Sequence, residues 1–123
     1  MSNFVFLLPE WPDVGEDAAK AEAATVTDPR TSCFYARRAL EIVVKWLYRA
    51  DGSLHLAYQN NLSALLHEPT FKQTAGEAVF NKARLINTIG NRAVHETRPI
   101  PPAASEAAIR ELFQVCYWLA HTY

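Results

Sequence analysis

Asn91 and His95 are the amide and imidazole that this 123-residue sequence sets up most directly for chemistry. They lie four apart in FNKARLINTIGNRAVHE, residues 80–96. On a helix, side chains four apart are neighbours one turn up. Arg84 falls on the same side, within roughly 40° of both at the helical period. An imidazole titrating near neutral pH can move a proton, and an asparagine can orient a ribose or a phosphate. Ribonuclease chemistry also needs a cation at the phosphorane. Here the spacing fails. Arg84 is ~16 Å from His95 along the axis at 1.5 Å per residue, and Arg92 is about 100° off its line. Unless another helix or a second chain brings a cation, the stripe reads as a surface that holds something. A plainer alternative makes His95 a capping or surface histidine at a helix end, with Asn91 and His95 satisfying backbone groups of the loop at 97–100.

The helix that would carry this stripe has a second, apolar face: Val79, Ala83, Ile86, Ile89 and Ala93 recur at three- and four-residue steps. Gly90 interrupts it at a cost of roughly 1 kcal/mol relative to Ala. Three explanations stand: a close helix crossing, a helix C-cap, or a ligand approaching the backbone beside Asn91 and His95. A second long helix should start at Asp28-Pro29, an N-cap acceptor followed by a first-turn proline, and run to about Arg49. Ala36, Leu40, Val43 and Leu47, flanked by Tyr35, Ala39, Ile42 and Trp46, make a stripe too broad for a helix with one neighbour. This is the expected central helix. Its remaining face carries Arg37, Arg38, Glu41 and Lys45. That face is either a solvated ion-pair row or, through Arg38 and Glu41, the far side of a site shared with Asn91 and His95.

Elsewhere, residues 2–12 read as an extended, proline-bounded leader whose Phe4, Phe6, Leu7, Leu8 and Trp11 pin it across the bundle. Asp13 is the expected N-cap of a first helix at about 14–25, broken by Thr25–Thr27. Asp51-Gly52 turns the chain, and Asn61–His67 forms one short helix with Leu62, Leu65 and Leu66 inward. The long helix of the opening follows from near Ala75. ETRPIPPAAS forms an irregular loop around its prolines. The last helix starts at Ala104–Glu106 and packs through Ile109, Leu112, Phe113, Cys116, Leu119 and Ala120. The pattern predicts an all-α bundle of four main helices plus one short helix, in a single domain of leader (1–12) and bundle (13–123). The uncapped end at Tyr123 suggests a fragment of a longer polypeptide.

Composition excludes several function classes. Hydrophobic residues make up 50% of the chain, ample for a core. The net charge of −1 argues against bulk electrostatic binding to DNA, but the charge is uneven. Residues 1–28 hold six acids and one base, net −5, and residues 29–123 eleven bases and seven acids, net +4. An acidic leader thus lies against a mildly basic bundle or against a partner. Cys33 and Cys116 fall in apolar company and read as buried free thiols of a cytoplasmic protein. His55, His67, His95 and His121 lack zinc spacing. The VFLL run is too short to span a membrane. There is no phosphate-binding loop, dinucleotide fingerprint, HExxH or GxSxG.

SNFVFL at 2–7, ARRALE at 36–41, RLINTIGNRAVHE at 84–96 and the closing WLAHTY resemble the DUF4145-type helical domain at the front of the R subunit of some type I restriction endonucleases. The resemblance spans nearly the whole chain. It implies a parent that translocates DNA with ATP and Mg2+, cuts it, and assembles with modification and specificity subunits. The motor and nuclease would follow Tyr123. This domain type is also similar to the HEPN helical bundles, whose ribonucleases carry Arg-Asn, three residues, then His, often at a dimer interface. Asn91 and His95 match the Asn and His of that pattern, while Gly90 stands at its Arg. By this resemblance the domain is a non-catalytic accessory module. Its contact surface is Asn91 and His95 with Arg84, Arg38 and Glu41, and its partners are other subunits, nucleic acid or a second copy of itself. The rivals are a HEPN-like ribonuclease using His95 with Arg84, Arg92 or a partner's residue, and a purely structural bundle.

Overall fold

Four helices begin at a proline, and that habit sets much of the architecture. In the computed structural model, which describes residues 2–123, α1 spans Pro12–Ala23, α2 Pro29–Ala50, α3 Leu62–His67, α4 Pro69–Ala75, α5 Glu77–His95 and α6 Pro102–Thr122. Pro12, Pro29, Pro69 and Pro102 each occupy the first helical turn. The missing N–H costs nothing there, and φ is already helical. The fold is the expected all-α bundle, with no strand among the described residues.

The differences from expectation follow the same rule. Trp11, not Asp13, holds the N-cap position of α1, because Pro12 takes the first turn and Asp13 falls inside it. Pro102 starts α6 two residues early. Pro69 does more than end α3: it nucleates a second short helix, α4, capped by the Glu68 carboxylate, which accepts from the Thr70 N–H at 3.0 Å. The bundle therefore has four long and two short helices. Gly76, with φ of +89°, separates α4 from α5 in a conformation that disfavours any side chain. The leader is also turned, with a 3-10 segment at Val5–Leu7; Met1, the first residue of the expected leader, lies outside the described residues.

Asp28 caps α2 as anticipated, accepting from the Thr31 N–H at 3.3 Å and the Thr31 hydroxyl at 2.6 Å. α2 is the central helix, packed on α1, α5 and α6. Its Ser32 hydroxyl reaches the Ala21 carbonyl near the end of α1. Its Arg30 reaches the end of α5. Trp46 meets Tyr123 at the end of α6. So α1 and α5 run against α2, and α6 runs with it. Ala36, Ala39, Leu40, Val43 and Leu47 of α2 are buried to 1% exposure or less, against Ile86 and Ala83 of α5 and Leu112, Cys116 and Leu119 of α6. All five expected apolar positions of α5 are buried. On α6, Phe113 is turned outward, because Phe4 and Phe6 of the leader pack on it.

Candidate functional site

Gly90 explains how α5 is placed. The helix continues past it to His95, so it is no C-cap. A Cβ built there would lie 2.4 Å from the Cβ of Arg37 and 2.7 Å from its Cδ. Of the three explanations for the glycine, the close helix crossing holds: the stem of Arg37 on α2 occupies the space of the missing side chain. The Arg37 Nε then donates to the Oδ1 of Asn87 at 3.1 Å, and Asn87 is only 5% exposed. A buried amide held by a guanidinium is a stronger hydrogen bond than a neutral pair. It fixes the rotation of α5, and with it the direction of its polar face.

That face forms one wall of an open groove of about 620 Å3, lined by Ser63, His67, Asn81, Arg84, Leu85, Asn87, Thr88 and Asn91. Two of the expected residues, Arg84 and Asn91, thus share a groove. His95 is not part of its wall. It stands exposed in the last turn of α5, one turn beyond Asn91. Arg38 and Glu41 do not close over the pair from α2. Arg38 turns to α1, with its Nε 3.2 Å from Asp17 Oδ2, and Glu41 pairs along α2 with Lys45 at 3.6 Å. The reason is rotational: Arg37 points at α5, so Arg38 is turned about 100° away.

The histidine in the groove is His67. Its Nδ1 lies 2.8 Å from the Ser63 carbonyl, which can only accept, so Nδ1 carries the proton. Its ring meets Phe80 edge-on at 5.9 Å, and the Arg84 guanidinium lies over the same Phe80 ring at 5.7 Å. His67 also lines a neighbouring groove of about 430 Å3 with Phe80 and Lys72. Sequence reasoning passed over His67 because it closes a six-residue helix, where a histidine is an ordinary cap. It passed over Asn87 because that amide sits at the edge of the apolar stripe. The buried polar position on a core-facing helix was the available signal.

Arg30 is the other residue that spacing did not disclose. Its Nη1 donates to the carbonyls of Ala93 and, at 2.8 Å, Glu96, and its Nη2 donates to that of Arg98 at 2.7 Å. One guanidinium thereby satisfies the end of α5 and ties down the following loop, at the helix end where a cation is favoured. The loop carbonyls are thus held from α2, the role that a structural reading had given to Asn91 and His95.

The electrostatics around the bundle are mostly local. Burial raises the Asp17 carboxyl above the ordinary carboxylate value, and Arg38 and then Lys20 pull it down without cancelling that effect. Oδ2 of Asp17 is close to Arg38 but accepts no well-directed hydrogen bond, which is why the pairing only partly offsets burial. Burial pushes the Cys33 thiol up to about 11, with nearby Arg30 acting in the opposite direction, and Cys116 up to about 12. Neither is a nucleophile at neutral pH. No set of three His, Cys, Asp or Glu side chains able to hold a metal occurs among the described residues, and no helix there is long and apolar enough to cross a membrane.

An amide-lined groove with one guanidinium and one imidazole can hold an anionic or hydrogen-bonding ligand. Neither curated proteins nor solved structures include a match to this chain. A family model described as a domain of unknown function (DUF4145) matches residues 19–123, from α1 to the last residue, and the chain belongs to that family.

Proposed function

We propose that this chain is a non-catalytic accessory domain of a type I restriction endonuclease R subunit, with a HEPN-like bundle, and that the polar face of α5 is its contact surface for nucleic acid or a neighbouring subunit. The observation that carries the reading is the groove that Arg84, Thr88 and Asn91 share with His67. Its polar walls suit contact, and His95, the one histidine at the spacing of a catalytic motif, stands outside it. The ATP and Mg2+ of such an enzyme belong to its motor and nuclease domains. Its modification and specificity subunits are the expected partners, and the buried free thiols fit a reducing cytoplasm. The test is assembly. Full-length protein carrying Asn91→Ala and His95→Ala together should associate with its partner subunits or with DNA at least tenfold more weakly, about 1.4 kcal/mol. Unchanged association on both counts removes the surface.

One observation favours a second reading, a HEPN-like ribonuclease using His95. The side chain that Gly90 lacks is replaced in space by an arginine, Arg37, from α2. That guanidinium is engaged by Asn87, which argues for a structural use of it. Incubating the purified chain with labelled single-stranded RNA separates the readings. Cleavage that His95→Ala abolishes supports the ribonuclease; intact RNA at high protein concentration removes it.

A further inference from the structure

The outer face of α6 carries a row of exposed aromatic side chains. Glu106, Arg110, Phe113, Tyr117 and His121 are all exposed, at steps of four, three, four and four. That spacing keeps the five within roughly 80° of one another around the axis, on a seam of the kind that joins helices in pairs. Phe113 and Tyr117 stack with centroids 6.4 Å apart, and Tyr117 and His121 with centroids 4.0 Å apart. Phe6 of the leader widens the row, its ring 5.8 Å from Phe113. Phe6 is 38% exposed, Phe113 36% and Tyr117 50%. A hollow of about 380 Å3 lies along the same side, walled by Phe4, Ile109, Arg110, Phe113 and Gln114 with Asn3 and Glu22. A contiguous exposed patch of large apolar side chains with charged ends is the mark of a partner surface.

We propose that this seam joins two copies of the chain, their α6 helices antiparallel about a two-fold axis beside Phe113 and Tyr117. The charges choose the arrangement. Among the described residues, neither Glu106 nor Arg110 has an ion-pair partner within its own chain. Run antiparallel, Phe113 packs on the outer edge of the partner's Tyr117, whose faces its own Phe113 and His121 already cover, Arg110 reaches the phenol oxygen of that Tyr117 as a donor, and Glu106 approaches the partner's His121. Run parallel, Glu106 would meet Glu106 and Arg110 would meet Arg110. The contact is isologous, each patch serving as both halves. A nucleic acid fits less well, since the seam offers one arginine and places a carboxylate at its end. The interface uses none of the residues that line the α5 groove, so it stands or falls separately from the proposed function.

Sedimentation equilibrium tests it on the intact chain. From about 1 μM to about 1 mM, the weight-average mass should climb from 13.8 kDa toward twice that value. Tyr117→Glu, at an exposed position, should weaken dimerisation at least tenfold with the helical circular dichroism unchanged. Orientation is read by disulfide trapping, for which the buried Cys33 and Cys116 leave a clean background. Gln114→Cys, beside the axis, should form a linked dimer under mild oxidation. Glu106→Cys should not, since antiparallel packing puts the two copies of that residue roughly 25 Å apart at 1.5 Å per residue. A mass that stays at 13.8 kDa throughout, or linkage at position 106 as ready as at 114, overturns the proposal. So does a Tyr117→Glu chain that dimerises normally.

Discussion

Arg37 and Gly90 show how one missing side chain can orient a surface. Helix propensity alone says that Gly90→Ala should stabilise α5 by about 1 kcal/mol. The 2.4 Å approach to the Arg37 Cβ, an atom that cannot swing aside, reverses the sign. Gly90→Ala should instead lower stability by about 1–3 kcal/mol, read as a lower urea midpoint at unchanged slope. Asp17 makes a second residue-scale test. Its carboxyl is raised in the folded chain, so folding disfavours the charged form. That penalty is full above the folded pKa and absent below the unfolded value of 3.8. Asp17→Asn should therefore gain melting temperature relative to the parent as pH rises from about 3 to about 7, and a gain that shrinks over that range would contradict the burial account. Sequence spacing placed Asn91, Arg84 and His95 on one face of one helix; Arg84 and Asn91 line one groove, and His95 lies a turn beyond it. Spacing could not say which α2 residue meets α5 at Asn87 and Gly90. Arg37 and Arg38 are adjacent in the chain, and only the helix crossing decides that the first points to α5 and the second to Asp17.

At the scale of the element, the end of α5 depends on a residue more than sixty positions away. Arg30 holds the carbonyls of Ala93, Glu96 and Arg98. Removing it strands partly buried acceptors at a helix terminus and should cost about 1–3 kcal/mol. Hydrogen exchange of Arg30→Ala should show faster exchange in the last turn of α5 and at residues 96–98, with the amides of α2 little changed; uniform loss across the chain would mean a global effect instead. Arg30→Lys should recover only part, because an ammonium lacks the planar fork that spans several acceptors. The long helices were legible because each carries a continuous apolar stripe. α4 was not. Its seven residues are too few for periodicity to speak, and Pro69 reads equally as the end of one helix or the first turn of the next. The starts of α1 and α6 were misplaced for the same reason.

Across the whole molecule, the leader and Tyr123 converge on Trp46 of α2. The Asn3 amide N–H donates to the Glu22 carboxylate at 3.2 Å, Trp11 meets Trp46 at 5.4 Å, and Tyr123 packs on Trp46 and Trp118 while its hydroxyl donates to Asp51. The acidic segment meets α2 through Asp17, which pairs with Arg38. Its apolar side chains divide in a way that composition could not foresee, with Phe4, Leu7 and Trp11 buried and Phe6 and Leu8 exposed. Phe4→Ala should cost about 3–5 kcal/mol by thermal melting, because its ring is 1% exposed, whereas Leu8→Ala should cost far less. What the bundle holds in register is the polar face of α5, and under the proposed function the most direct measurement of its purpose is restriction in cells. At equal protein levels, the full-length protein with Asn91→Ala and His95→Ala together should restrict unmodified foreign DNA at least tenfold less efficiently than the parent; undiminished restriction by the double variant would contradict the assignment of that face as a contact surface.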